Sequence, residues 1–178
     1  MSAASGDPAI QTVPVDKIYL VGFMAAGKSS LAGALARRLD WPVHDLDELI
    51  ERRERRTIAS IFAREGEFYF RQLERQILHD LIPQRHVIVA TGGGTFVDAD
   101  NRILINADGL SVWLDVPLQE LLDRIPADGR RPLAADRAHM ERLYEARRTA
   151  YEQAHLRLDA SRASVDALAE QLLSQLDI

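Results

Sequence analysis

One stretch limits the possible folds more than any other: Gly22-Phe23-Met24-Ala25-Ala26-Gly27-Lys28-Ser29, placed between the apolar run Ile18-Tyr19-Leu20-Val21 and a Leu31, Leu35, Leu39 stripe. It reads as strand, phosphate loop, helix. The spacing G-x-x-x-x-G-K-S lets the backbone curl so that successive N–H groups point at phosphate oxygens. Lys28 adds a positive charge, and the helix that begins there supplies unsatisfied amides and the positive end of its dipole. Ser29 is then the natural magnesium ligand. The plainer alternative, a glycine turn with a surface lysine, leaves the flanking strand and helix patterns unexplained.

The rest of the chain repeats the alternation. Val43 to Asp47 reads as a short strand ending in acids, and Glu48 to Arg56 as an exposed helix with Glu48/Arg52 and Glu51/Arg55 at i,i+4 spacing. Thr57 suits the cap of a short helix, and Gly66 separates it from a longer one with Phe70, Leu73, Ile77 and Leu81 on one face. Val87-Ile88-Val89-Ala90 is an apolar run typical of a parallel strand covered on both faces, and it leads into Thr91-Gly92-Gly93-Gly94-Thr95. A short helix at Asp98 to Asn106, a strand at Leu110 to Leu114 and a helix after Pro117 follow. A helix from about His139 to Ala154, a strand at Leu156 to Leu158 and a terminal helix bearing Val165, Leu168, Leu172 and Leu176 complete it. Such alternation predicts an α/β fold, a parallel sheet with helices on both faces and ligand sites at the carboxyl ends of its strands.

Residues 1–16 are small or polar and read as a flexible lead-in; residues 17–178 form a single expected domain, with a mobile lid at about 126–138 around Gly129, Arg130, Arg131 and Pro132. The net charge of −5 and the lack of a basic tail argue against a nucleic-acid surface. No window is long and apolar enough to span a membrane, and no signal-peptide core is present. With no cysteine there is no thiolate metal site or nucleophile, which suits a cytoplasmic location. The five histidines show no ligand spacing.

Phosphoryl transfer needs a clamp on a triphosphate, a divalent ion, an oriented acceptor hydroxyl and positive charge around the transferring group. Asp45 is the candidate to support an ion held by Ser29, the alternative being a helix N-cap. Asp47, two residues on along an extended segment, would aim its carboxylate to the same side and serve as general base; a first-turn acid is its alternative. Arg71, with Glu67 at i−4 and Glu74 at i+3, could equally be an exposed ion pair. Three successive glycines after a buried strand suggest close backbone approach to a ligand.

Together these segments resemble the shikimate kinase family. The resemblance rests on Gly22 to Ser30, Asp45-Leu46-Asp47, Phe70-Arg71-Gln72-Leu73-Glu74, Ala90-Thr91-Gly92-Gly93-Gly94, Arg131-Pro132-Leu133 and Arg147-Arg148-Thr149-Ala150-Tyr151, in the family's order. It implies a three-layer, nucleoside-monophosphate-kinase-like P-loop fold with a five-stranded parallel sheet. It also implies magnesium-dependent transfer of the γ-phosphate of ATP to the 3-hydroxyl of shikimate, on the way to chorismate and the aromatic amino acids, by a protein expected to be a monomer. By this resemblance Ala25, Ala26, Gly27, Lys28, Ser29 and Ser30 bind ATP, joined by Arg124, Arg131 and Arg162. Asp47, Arg71, Gly92, Gly93, Gly94 and Arg147 hold shikimate, Ser29 and Asp45 serve the metal, and Lys28, Asp47 and Arg131 are catalytic. Ala25 departs from the glycine usual in the family, and a positive φ there would crowd the loop and weaken ATP binding. Gluconate kinase and nucleoside monophosphate kinases are the enzyme alternatives; an inactive relative that senses shikimate or nucleotide is the alternative of a different class.

Overall fold

The computed structural model describes residues 15–125 and 137–176. Its elements are β1 (Lys17–Val21), α1 (Lys28–Leu39), β2 (Val43–Asp45), α2 (Leu46–Glu54), α3 (Ile58–Leu81), β3 (Val87–Ala90), α4 (Ala99–Asp108), β4 (Leu110–Asp115), α5 (Leu118–Arg124), α6 (Arg137–Tyr151), β5 (Leu156–Asp159) and α7 (Val165–Ser174). The five strands form one parallel sheet in the order β2-β3-β1-β4-β5. β1 and β3 are buried along their whole length, because helices cover both faces of the sheet centre and neither strand can alternate apolar with polar residues. The expected architecture is therefore present. Strand order reverses between β1 and its neighbours β3 and β4, so the crevice above their carboxyl ends is where a ligand belongs.

Several local expectations change. β2 stops at Asp45 and α2 begins at the next residue, so Asp47 lies in the first turn of a helix rather than two steps along a strand. The cause is Asp45 itself, whose Oδ1 accepts from the backbone N–H groups of Asp47 (3.0 Å) and Glu48 (3.3 Å) and so starts the helix at once. Glu48 and Arg52 do pair, at 3.1 Å. The Glu51/Arg55 pair does not form among the described residues: Arg55 closes α2 in the left-handed region, and Glu51 turns to accept from the Ile58 N–H. Thr57 caps α3 through Ser60 N, as its position predicts. Gly66 separates a short helical segment from a longer one, as expected, its φ of 81° breaking the helix within the Ile58–Leu81 span. Residues 137 and 138, assigned to the lid by sequence, are the first turn of α6, which ends at Tyr151 rather than Ala154. The rest of that lid assignment, with Arg131, and most of the lead-in lie outside the described residues.

The amino end of the sheet is held by a buried charge cluster. Lys17 has no exposed surface, and its Nζ donates to Leu81 O (2.8 Å), Ile82 O (3.2 Å) and Asp108 Oδ2 (2.6 Å). One ammonium thus satisfies carbonyls at the C-terminus of α3 and ties them to the last residue of α4. Tyr19 and Arg85 also donate to Asp108. Burial alone would raise the Asp108 pKa, but the donors from Lys17, Tyr19 and Arg85 outweigh it and hold the carboxyl below its usual range.

Candidate active site

The phosphate loop leaves β1 and enters α1 with Gly27 at φ 98° as the N-cap, a conformation that a side chain would strain. No side chain caps this helix and no acid lies in its first turn, so the amides of Lys28, Ser29 and Ser30 face a site suited to an anion. Lys28 is buried; its Nζ donates to Gly22 O (2.8 Å) and Phe23 O (2.7 Å), which folds the ammonium over its own loop. Ala25 has φ 62°. The residue that replaces the family's usual glycine therefore occupies the left-handed region, the costlier of the two possibilities, at about 1 kcal/mol.

Ser29 Oγ donates to Asp45 Oδ2 at 2.7 Å. One Asp45 oxygen thus caps α2, the alternative given above, while the other accepts from the serine. Among the described residues no group of three or more His, Cys, Asp or Glu forms a metal cage. Two hard oxygen donors beside a phosphate site are nonetheless the partial shell that magnesium uses, the remainder coming from water and phosphate.

The three glycines after Thr91 bring the remaining candidates together, because each is a surface against which one functional side chain rests. A methyl on Gly92 would lie 3.1 Å from Asp47 Oδ1 and 3.2 Å from both Glu74 Oε1 and Thr95 Oγ1. A methyl on Gly93 would lie 3.0 Å from Arg147 Nη1 and 3.4 Å from the Met24 N of the phosphate loop. At Gly94 it would collide with the Arg71 guanidinium, 2.7 Å from Cζ. A side chain at any of these positions would displace one of these groups, so the glycines let Asp47, Arg147, Arg71 and the phosphate loop share one crevice.

Two arginines there are held differently. Arg71 Nη1 donates to Glu74 Oε2 at 2.9 Å and Nη2 to Glu67 at 3.3 Å. Burial opposes its charge, but the two carboxylates more than offset this and raise its pKa. Arg147 is 8% exposed and lies over the Phe23 ring at 5.6 Å, with no carboxylate in salt-bridge range among the described residues. A buried guanidinium resting on an aromatic face and a glycine is arranged to receive an anion.

Arg124 reaches the phosphate loop from α5, with Nη1 3.4 Å from both Ala25 O and Ala26 O. Glu120 joins it to Arg162: Glu120 Oε2 accepts from Arg124 Nη2 and from the Arg162 N–H, each at 3.3 Å. All candidate residues from the described segments therefore stand at one end of the sheet.

Sequence reasoning passed over three contributors. Glu74 was considered only as a surface partner of Arg71, yet it is wholly buried and accepts from Thr95 Oγ1 as well, at 2.5 Å. A signal existed, since Glu74 interrupts the apolar face of Phe70, Leu73 and Ile77 with a charge. Thr95 and Glu120 had no comparable signal.

The shikimate kinase family model matches residues 24–177. This chain belongs to the shikimate kinase family. The shikimate kinase of Sulfurihydrogenibium sp. is 38% identical over 160 residues, covering 89% of this chain and 96% of the relative. That of Synechococcus elongatus is 42% identical over 152 residues, covering 84% and 79%. Among solved structures, shikimate kinase from Acinetobacter baumannii in complex with shikimate superposes with a TM-score of 0.84 at 34% identity, over 90% of this chain and 92% of that one. A deoxyadenosine kinase from M. mycoides, 16% identical with a TM-score of 0.58, shares the fold.

Proposed function

We propose that this chain transfers the γ-phosphoryl group of ATP to the 3-hydroxyl of shikimate, giving shikimate 3-phosphate and ADP. The observation that supports it most is the triple glycine seated between Asp47, Arg147 and Arg71, which joins an acceptor pocket for a small carboxylated alcohol to the phosphate loop. Arg147 and Arg71 grip the acceptor carboxylate, for which a guanidinium fork is better matched than an ammonium. Asp47 accepts the hydroxyl proton as the acceptor oxygen bonds to phosphorus and the bond to the ADP oxygen breaks.

Lys28, leaving the carbonyls of Gly22 and Phe23, and Arg131 stabilise charge on the transferring group. Ala25 to Ser30 present the loop to the triphosphate, and Arg124 with Arg162 flank the nucleotide. Ser29 and Asp45 would hold magnesium, which would supply positive charge to offset that of the triphosphate. The reading is completed by a monomer in the cytoplasm, a compartment that the cysteine-free sequence suits.

The test is ADP release by the purified protein with magnesium, comparing shikimate, quinate, gluconate and nucleoside monophosphates. Turnover should require shikimate. Shikimate binding without ADP above background would instead identify a sensor, and preference for gluconate a different kinase. Asp47→Asn should lower the single-turnover rate by about 10²- to 10⁴-fold with shikimate still bound; an unchanged rate would restrict Asp47 to positioning.

A further inference from the structure

Tyr151 lies one helical turn beyond Arg147 on α6, so the two side chains emerge from the same face. It is 2% exposed, and its ring centre lies 6.0 Å from that of Trp113 on β4. Its hydroxyl donates to the carbonyl oxygen of Gly93, the residue whose α-carbon lies against Arg147 and the phosphate loop. Because a trans peptide places C=O and N–H on opposite sides, anchoring Gly93 O also fixes the direction of the Gly94 N–H. Neither the Gly93 nor the Gly94 N–H has an acceptor among the described residues, although the neighbouring Thr95 N–H bonds to Gly92 O and Val97 N–H to Gly94 O. Three successive glycines have no side chains to hold their orientation, and the turn bonds to Gly92 O and Gly94 O leave the Gly93 carbonyl to be held by Tyr151.

We propose that Tyr151 is a positioning residue for the acceptor: its hydroxyl locks the Gly93–Gly94 peptide, so that the amides and the Arg147 guanidinium form one rigid wall of the pocket. The constraint falls on the acceptor side. The loop residues assigned to the triphosphate are Ala25 through Ser30, and Gly93 approaches the loop ahead of them, at Met24 N. The donor is also permanent. Burial pushes the Tyr151 pKa up to about 12, against the opposing charge of Arg147, so the hydroxyl keeps its proton across the working pH range.

This inference rests on the shikimate-phosphorylating reading, and wild-type turnover is measured first so that the two fail separately. Tyr151→Phe removes only the hydroxyl. It should raise the KM for shikimate about five- to tenfold and lower kcat, while the KM for ATP stays within about twofold. Trp113→Phe is the packing control: it loosens the ring's support, should lower the melting temperature, and should leave the KM for shikimate within about twofold. All constants are read below the melting temperatures of both variants. Unchanged kinetics in Tyr151→Phe, equal losses for both substrates, or a shift in shikimate KM just as large in Trp113→Phe would overturn the proposal.

Discussion

The two ends of the central sheet both bury a lysine, and they bury it for opposite purposes. At the amino end, Lys17 has a carboxylate and two helix-terminal carbonyls within hydrogen-bond range, and Asp108 receives further donors from Tyr19 and Arg85. Every charge is answered from within the chain. At the carboxyl end, Lys28 leans on the carbonyls of its own loop and Arg147 on the face of Phe23. The carbonyls and the ring are partners that an anionic ligand can displace. Buried charge clamped by a carboxylate fixes a structure, and buried cations that gather around a phosphate loop prepare a site.

Replacing each lysine by methionine separates the two ends most sharply. Lys17→Met leaves Asp108 buried with one donor fewer and should cost about 3 kcal/mol of stability, the low end for breaking a buried pair because Tyr19 and Arg85 remain. Thermal and denaturant unfolding measure it. Lys28→Met should melt within a few degrees of wild type yet lose about 10²- to 10³-fold in kcat. A Lys28 variant as unstable as the Lys17 variant would remove the distinction.

Arg147→Ala gives the next largest effect, a rise of about 10- to 100-fold in the KM for shikimate with ATP affinity nearly intact. Among the described residues no carboxylate partner is orphaned by this change, so stability should hold. Equal loss of both affinities would assign Arg147 to folding instead.

The smallest effect belongs to Ala25. Ala25→Gly releases the left-handed strain in the phosphate loop and should lower the KM for ATP by at most about fivefold, with shikimate unaffected. A higher melting temperature without any change in ATP affinity would mean that the methyl costs stability alone.

Reading the chain in order recovered the strand and helix alternation because each element rests on short-range periodicity, and burial of β1 and β3 on both faces leaves an unbroken apolar run. The site was legible wherever chemistry is concentrated in a few consecutive residues, as in Gly22 to Ser30 or the three glycines. It was less legible at Asp45 and Asp47. The D-x-D spacing suggested a strand, but the capping hydrogen bonds of Asp45 converted the second acid into a helical residue. Glu74 was visible as a charge on an apolar face, although its partner Thr95 lies 21 residues away and no local pattern joins them.

The sequence by itself determined the phosphate loop, the parallel α/β order and the presence of an acidic pair, three glycines and two arginines suited to one reaction. These follow from backbone geometry and side-chain chemistry over a handful of neighbouring residues. Only the tertiary structure decided that Gly92, Gly93 and Gly94 each support a different side chain, that Glu74 and Tyr151 hold this arrangement, and that Ala25 takes a positive φ. Contacts between residues tens of positions apart depend on how closely whole elements pack, and that distance is set by the core rather than by any local spacing.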